Sequence, residues 1–299
     1  MASLNTYTAV GNKEDLSDII KNIAPTDTPL YSGFGSSKAT GTYHEWVEET
    51  LASPGANKAV EGADLSATAP AHRTRKGNYT QIFTKTYGVT GSQEAVLKAG
   101  IKSEIGRAMV LAMKEIANDV EYAYVNNSAA VAGNATTARE LGGISALVTT
   151  NVNDNAAVGR ALTEALFNDT IEAIWANGGK PNIAVMSGKN KRNISSTFAG
   201  VPTLATNIDA SKKAIAAGVS VYMSDFGEIK LVASTKMPNT DIFILQQDMF
   251  NNAILRPFRQ KDLPVAGDRI EKAIVGELTL ECLAEKSSGI LTDLNGSVA

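Results

Sequence analysis

The sequence predicts an α+β protein of elongated design. Three features carry this. Two strand-like stretches at the ends of residues 42–91 flank a long middle of Ala, Gly, Pro, Ser and Lys. An amphipathic helix of about 25 residues follows at once. A stretch near the C-terminus alternates in the two-residue period of a sheet strand.

The bulk composition is that of a globular chain. It has 299 residues, 43% hydrophobic and 20% charged, enough for one large or two modest domains with a real core. A net charge of −3 gives no global attraction for nucleic acid or acidic membranes, so nucleic acid near this protein is contained rather than gripped. The single cysteine, Cys282, excludes an intrachain disulfide, which fits assembly in a reducing cytosol. Residues 1–16 are polar, without the apolar core of a signal peptide, and no run approaches the ~18 apolar residues of a membrane span.

The first 35 residues form an arm. KEDLSDIIKNI places Leu16, Ile19, Ile20 and Ile23 at helical spacing, with Glu14 and Asp15 in the first turn. Pro25 and Pro29 are expected to stop any helix there. Such a stripe must dock onto the body or onto a neighbour.

TYHEWVEE then reads as one strand and GNYTQIFTKTYGVTG as its partner, with Tyr79, Phe83, Tyr87 and Val89 on one face and Ile82 on the other. Roughly 27 residues separate them, far more than a usual hairpin connection, and the strands could reach ~30 Å. In the following helix Ile101, Ile105, Met109, Ala112, Ile116, Val120 and Tyr124 recur every three or four residues.

NNSAAVAGNATTARELGG reads as a linker, after which the pattern turns α/β-like. LTEALFNDTIEAIWANGG is a helix whose stripe is Leu162, Ala165, Leu166, Ile171, Ile174 and Trp175, capped by Thr163 and closed by Gly178. PNIAVMS is a buried strand, GKNKRNISSTFAG a helix, and VSVYMSDFGEIKLVAS a hairpin turning near Phe226 and Gly227. DIFILQQDMFNNAILRPF supplies further strand. From residue 274 to 284 the even positions are Ile, Gly, Leu, Leu, Cys and Ala, against Val, Glu, Thr, Glu and Leu at the odd ones. One buried face and one solvated or subunit-facing side are expected, followed by a Gly, Ser and Asn tail.

Reaction chemistry finds no support. His44 and His72 are the only histidines and lack ligands at fixed short spacing, so His44 reads as a surface or interface residue. Cys282 falls on an apolar strand face and reads as core. Ser187-Gly188-Lys189 imitates a phosphate loop, but Ile183 and Asn190 stand where that motif needs Gly and Ser or Thr. Glu277 and Glu281 lie ~13 Å apart along a strand, too far for a carboxylate dyad. The basic clusters Arg73, Arg75, Lys76 and Lys189, Lys191, Arg192 are short; solvation or docking onto an acidic neighbour explains them. No catalytic residue, cofactor or metal is expected.

A two-stranded hairpin is marginal alone, and its open edges need partners. Tyr43, Trp46, Phe83 and Tyr87 add aromatic surface that water would leave costly. Other copies of the chain solve the problem by heterologous, shell-forming contacts. Each buried aromatic contributes a few kcal/mol at ~25 cal/mol/Å².

The order of arm, long loop, long helix, α/β segment and C-terminal strand resembles the major capsid proteins of tailed phages, the Hong Kong 97-like fold. EDLSDIIKNIAPTDTPLYSGFG, YHEWVEETL, NYTQIFTKTYGVTGSQEAV and ELTLECLAEKSSGILTDL resemble its SU-ten-like branch. The resemblance implies an N-terminal arm (1–35), an extended loop (36–92), a peripheral domain with a spine helix (93–138 and 257–299) and an axial domain (139–256). It implies hexamers and pentamers of an icosahedral shell around double-stranded DNA, a homo-oligomer without sequence-specific DNA binding or membrane contact. Scaffolding, if any, is expected as a separate protein because the arm begins almost at Met1, and decoration proteins are possible partners. The place implied is the virion capsid, assembled in the host cytoplasm. Interface candidates are Ile19, Ile20, Tyr43, Trp46, Arg73, Arg75, Lys76, Tyr79, Phe83 and Tyr87. The alternatives are an encapsulin-like compartment shell or an α/β enzyme around Ser187 to Lys191.

Overall fold

The structure, a computed structural model, describes residues 27–49, 51, 54–62, 64, 73–96, 102–197, 220–264 and 267–298. The expected arm helix, with Leu16, Ile19, Ile20 and Ile23, lies outside the described residues.

The described chain opens with a short helix, α1 (Pro29–Gly33), and a strand, β1 (Gly35–Lys38). Pro29 therefore starts a short helix of its own, one not expected from the sequence. It sits in the first turn, where a missing N–H loses no hydrogen bond. Next come β2 (Tyr43–Glu48) and β3 (Thr74–Tyr79), an antiparallel pair running from Tyr43 opposite Tyr79 to Glu48 opposite Thr74. Residues 49–73 connect them.

The long partner strand expected at 77–91 is two strands. Because β2 begins at Tyr43, nothing remains for the chain to pair with beyond Tyr79. It turns at Thr80, whose N–H donates to the Thr42 carbonyl at 2.8 Å, and continues as β4 (Gln81–Thr90). β4 pairs elsewhere, so the hairpin strands span six residues each, ~20 Å and not ~30 Å.

A short helix, α2 (Gly91–Ala95), precedes the long one, α3 (Glu104–Asn126). Ser103 caps α3, its Oγ accepting from the Gly106 N–H at 3.2 Å. Its 23 residues give ~35 Å, and Ala112, Ile116, Val120, Ala123 and Tyr124 are buried. After a loop closed by a bridge between Val131 and Glu140 come α4 (Ile144–Leu147), β5 (Val152–Asn153), β6 (Arg160–Leu162) and α5 (Glu164–Ala176). Thr163 caps α5 as expected, but the buried stripe is Phe167, Thr170, Ile171 and Ile174. Ala165 is exposed, and Trp175 is 54% exposed against the Phe226 ring.

The remaining elements are β7 (Ile183–Met186), α6 (Gly188–Thr197), β8 (Val221–Ser224), β9 (Gly227–Ala233), β10 (Ile242–Leu245), β11 (Phe250–Asp262), β12 (Arg269–Cys282), β13 (Gly289–Leu291) and β14 (Leu294–Val298). One sheet has the order β1-β11-β12-β4 and a second the order β5-β13-β10-β7-β9-β8. β14 pairs in parallel with β6. The expected tail is thus structured, and residues 257–299 contribute to both sheets. β12 runs centrally between β11 and β4. Gly276 is needed there, since a Cβ would lie 2.3 Å from the Phe258 ring.

One core cluster joins α3 to the first sheet through Ile116, Val120, Tyr124, Phe250, Ile274, Leu278 and Leu280. A second packs α5 and α6 against the other sheet through Phe167, Ile171, Ile194, Met186 and Ile244. At the C-terminal end of α3, the buried Glu121 carboxylate accepts from the Tyr31 N–H at 2.8 Å and the Leu30 N–H at 3.1 Å. The Tyr124 hydroxyl donates to Asn252 Oδ1 at 2.6 Å, and Asn252 Nδ2 donates to the Tyr31 carbonyl at 3.1 Å. These bonds fix α1 across the end of α3.

Burial raises the Glu121 carboxyl above its ordinary value, against the pull of the Tyr31 and Leu30 N–H groups. The native state then holds this proton more tightly than the unfolded chain, so stability falls as pH rises between the two values. Glu121→Gln has no such proton to lose. In urea denaturation of the unassembled subunit, its stability relative to the parent should rise as pH increases from the ordinary carboxylate range, about pH 4, toward neutrality. A difference independent of pH would contradict this account.

Candidate functional site

The hairpin strands β2 and β3 lie against the first sheet, held at their root by buried polar groups. Even-numbered β2 residues turn toward the body: Trp46 is buried and His44 and Glu48 half-buried, whereas Tyr43, Glu45 and Val47 are exposed. Tyr43 leans over β3, its ring 4.6 Å from that of Tyr79. Gly77 permits this, because a Cβ would lie 2.7 Å from the Tyr43 ring.

Asn78, opposite His44, is fully buried. Its Nδ2 donates to the Gly142 and Leu280 carbonyls at 2.9 Å each, and its Oδ1 accepts from the Gly142 N–H at 2.8 Å. Two residues on, Thr80 Oγ1 donates to Glu277 Oε1 at 2.7 Å. Arg139 Nη2 donates to the same oxygen, and Arg256 Nε donates to Oε2 at 2.8 Å. Glu277 is 3% exposed, so two guanidinium groups and a hydroxyl replace the water it loses.

Glu281, four residues along β12, is built similarly. Its Oε2 accepts from Ser37 Oγ at 2.7 Å and Asn251 Nδ2 at 3.2 Å. His44 Nε2 lies 3.3 Å from Oε1, close enough for an ion pair when protonated but not aligned as a hydrogen bond. The sequence expectation of a solvated face at Glu277 and Glu281 is therefore corrected. Both are buried, because the hairpin root, β1 and Arg139 close over a strand that is also covered on its apolar face. His44, expected at a surface or interface, is half-buried over Glu281.

The expected interface residues divide. Ile19 and Ile20 lie outside the described residues. Trp46 and Phe83 are buried by their own chain, and Tyr87 packs against that core, so exposure does not recommend them for contact. Tyr43 is exposed and Tyr79 half-buried on the outer face. Arg73 pairs with Glu49 at 3.1 Å and Arg75 with Glu45 at 3.7 Å, within the same hairpin and mostly in water, where such pairs contribute little. Lys76 stands opposite Trp46, half-buried. Beyond the strands, Leu51 is 96% and Val60 81% exposed. Asn78, Arg139 and Arg256 were not candidates; the alternation of Glu277, Thr279 and Glu281 on so apolar a strand was the available signal.

Nothing in this arrangement suits a reaction. Burial pushes the Cys282 thiol up to about 12, far from a thiolate nucleophile. At the phosphate-loop look-alike, Ser187 Oγ accepts from the Asn190 N–H at 3.3 Å, and Asn190 Nδ2 donates to the Asn239 carbonyl at 3.0 Å. The start of α6 is thus occupied by its own side chains. Among the described residues, no three His, Cys, Asp or Glu side chains gather as a metal site, and no helix is long and apolar enough to cross a membrane.

A long helix on a four-stranded sheet, a second α/β unit and a hairpin rooted on the first sheet define a shell subunit of the Hong Kong 97-like class. The sequence profile described as SU10 major capsid protein matches residues 3–295, and the chain belongs to that family. It is a major capsid protein of the tailed-phage type, a structural protein and not an enzyme, and its place is the virion capsid. Solved structures agree in fold. The capsid of Cyanophage A-1(L) is 14% identical with a TM-score of 0.69, over 97% of this chain and 99% of that one. The capsid of a native GTA particle gives 15% and 0.66, over 98% and 100%. The SrpI encapsulin of Synechococcus elongatus gives 11% and 0.64, over 99% and 98%. Comparison with curated protein sequences finds no match. The encapsulin likeness shows shared fold alone, and the family match favours the capsid reading.

Glu277→Gln should destabilise the unassembled subunit by about 3 kcal/mol, leaving Arg139 and Arg256 without a carboxylate. Asn78→Ala should cost about 2 kcal/mol by orphaning the Gly142 N–H and two carbonyls. Urea denaturation gives both values, and limited proteolysis should show earlier cleavage in the hairpin. Unchanged midpoints would contradict the anchoring role.

Proposed function

We propose that the chain forms hexamers and pentamers of an icosahedral shell enclosing double-stranded DNA, with the hairpin and residues 49–73 lying over the adjacent subunit. Multimeric shells are the common role of this family. The finer arrangement is inferred from one observation: the hairpin strands are bonded to the body, and the described residues beyond them stand in solvent. Asn78, Thr80 and Trp46 bind the root to the body. Past Glu48 and Thr74 no strand pairing continues among the described residues, and Leu51 and Val60 stand in solvent. An anchored lever with an apolar, uncovered end favours a contact made by a second copy.

Tyr43, Tyr79, Arg73, Arg75 and Lys76 are the described candidates for that contact. The net charge of −3 suits a container that does not clamp its contents. Subunits would assemble in the host cytoplasm, with scaffolding or decoration proteins as candidate partners.

Replacing residues 49–73 by Asn-Gly closes β2 and β3 with a two-residue turn. The variant should remain soluble with the circular dichroism of the parent subunit, yet electron microscopy should find no closed shells. Normal shells from this variant would overturn the role given to the segment.

A further inference from the structure

The outer face of α3 carries an apolar stripe that leads away from the point where the described chain begins. Gly106, Val110, Met113 and Ala117 recur at intervals of four, three and four residues and so share one face of the helix. Val110 and Met113 are each 52% exposed. Glu121 continues the stripe, eleven residues after Val110, or three turns to within about 20°. At Glu121 the stripe is covered by α1, through the Leu30 and Tyr31 N–H groups. Exposed Arg107 and Lys114, seven residues apart, line one edge of the uncovered part.

We propose that residues 13–23 of the same chain lie along this stripe. The segment is amphipathic by sequence, with Leu16, Ile20 and Ile23 at helical spacing beside Ile19. Leu16 and Ile23 are separated by the same seven residues as Val110 and Ala117, so the apolar positions match in length. The tether also matches. Thr28, which precedes α1, lies at the Glu121 end, and Ala24 to Asp27 can span up to ~16 Å. Ala117 is only ~6 Å from Glu121 along the axis. The chain direction then sets the segment parallel to α3, with its N-terminal end toward Gly106.

In that orientation Asp15 and Asp18 come to the edge of α3 that carries Arg107 and Lys114. Opposite charges thus line one edge of the apolar seam. Burying Val110 and Met113 under Leu16, Ile19 and Ile20 removes exposed apolar surface from both partners. A contact within one subunit differs from the crossing between subunits proposed for the hairpin. It does not rest on shell formation and can be tested in the unassembled subunit.

The test uses the full chain carrying Ile20→Cys and Met113→Cys; Cys282 is buried and stays out of the chemistry. Isotopically heavy and light subunits are mixed at low concentration, oxidised and mapped by mass spectrometry. The expected result is a disulfide within single chains. It should form about tenfold faster than in a control with Ile20→Cys and Tyr122→Cys, whose partner lies about 180° around the helix from Met113. Val110→Asp with Met113→Asp, both at exposed positions, should keep the parent unfolding midpoint and speed proteolysis within residues 1–26. Disulfides joining heavy to light chains would overturn the proposal, as would a rate no higher than the control or unchanged proteolysis.

Discussion

The burial of Glu277 between Arg139, Arg256 and Thr80 is the constraint on which the architecture turns. A carboxylate taken out of water costs several kcal/mol unless charge and hydrogen bonds replace the solvent. Here the replacements come from three separated parts of the chain, the hairpin root, the loop after α3 and β11, and all meet on β12. The carboxylate is satisfied only when all three are in register with β12. That ties the direction of the hairpin to the body, which apolar contacts alone specify less sharply. Asn78 extends the tie by bonding backbone groups of Gly142 and Leu280.

The same device recurs where other segments enter the body. Glu281 holds Ser37 and Asn251, joining β1 to β11 and β12. Glu121 holds the start of α1. Glu285 accepts from the Thr149 N–H and from the hydroxyls of Thr149 and Thr150, joining the end of β12 to the segment after α4. Burial alone would raise the Glu285 carboxyl, but the Thr150 and Thr149 bonds outweigh it and hold the value below the ordinary range. Protonation at low pH would thus weaken this junction while relieving Glu121. Directional bonds to buried carboxylates fix the angles at which these segments leave the body.

Much of the fold was legible in the sequence because periodicity is a local signal. The stripe from Ala112 to Tyr124, the Thr163 cap, the buried run at Ile183 to Met186 and the turn before Gly227 all depend on neighbours within a few residues. The failures came where partners are distant. Nothing local says that β4 leaves β2 for β12, or that Glu277 and Glu281 are covered. Their partners lie 21 to 244 residues away. Phe83 looked like exposed aromatic surface for the same reason, since its cover comes from elsewhere in the body. The function was legible through segment order and short phrases, not through a reactive constellation. The anchoring residues were not, because Asn, Thr and Arg in loops carry no pattern of their own.

Hydrogen–deuterium exchange, followed by mass spectrometry on unassembled subunits and closed shells, tests the anchored-lever account most directly. The account predicts that amides around Asn78 and Leu280 are protected in both states, while those of residues 54–62 become protected only in shells. Rapid exchange at the root in the free subunit, or equal protection of residues 54–62 in both states, would contradict it.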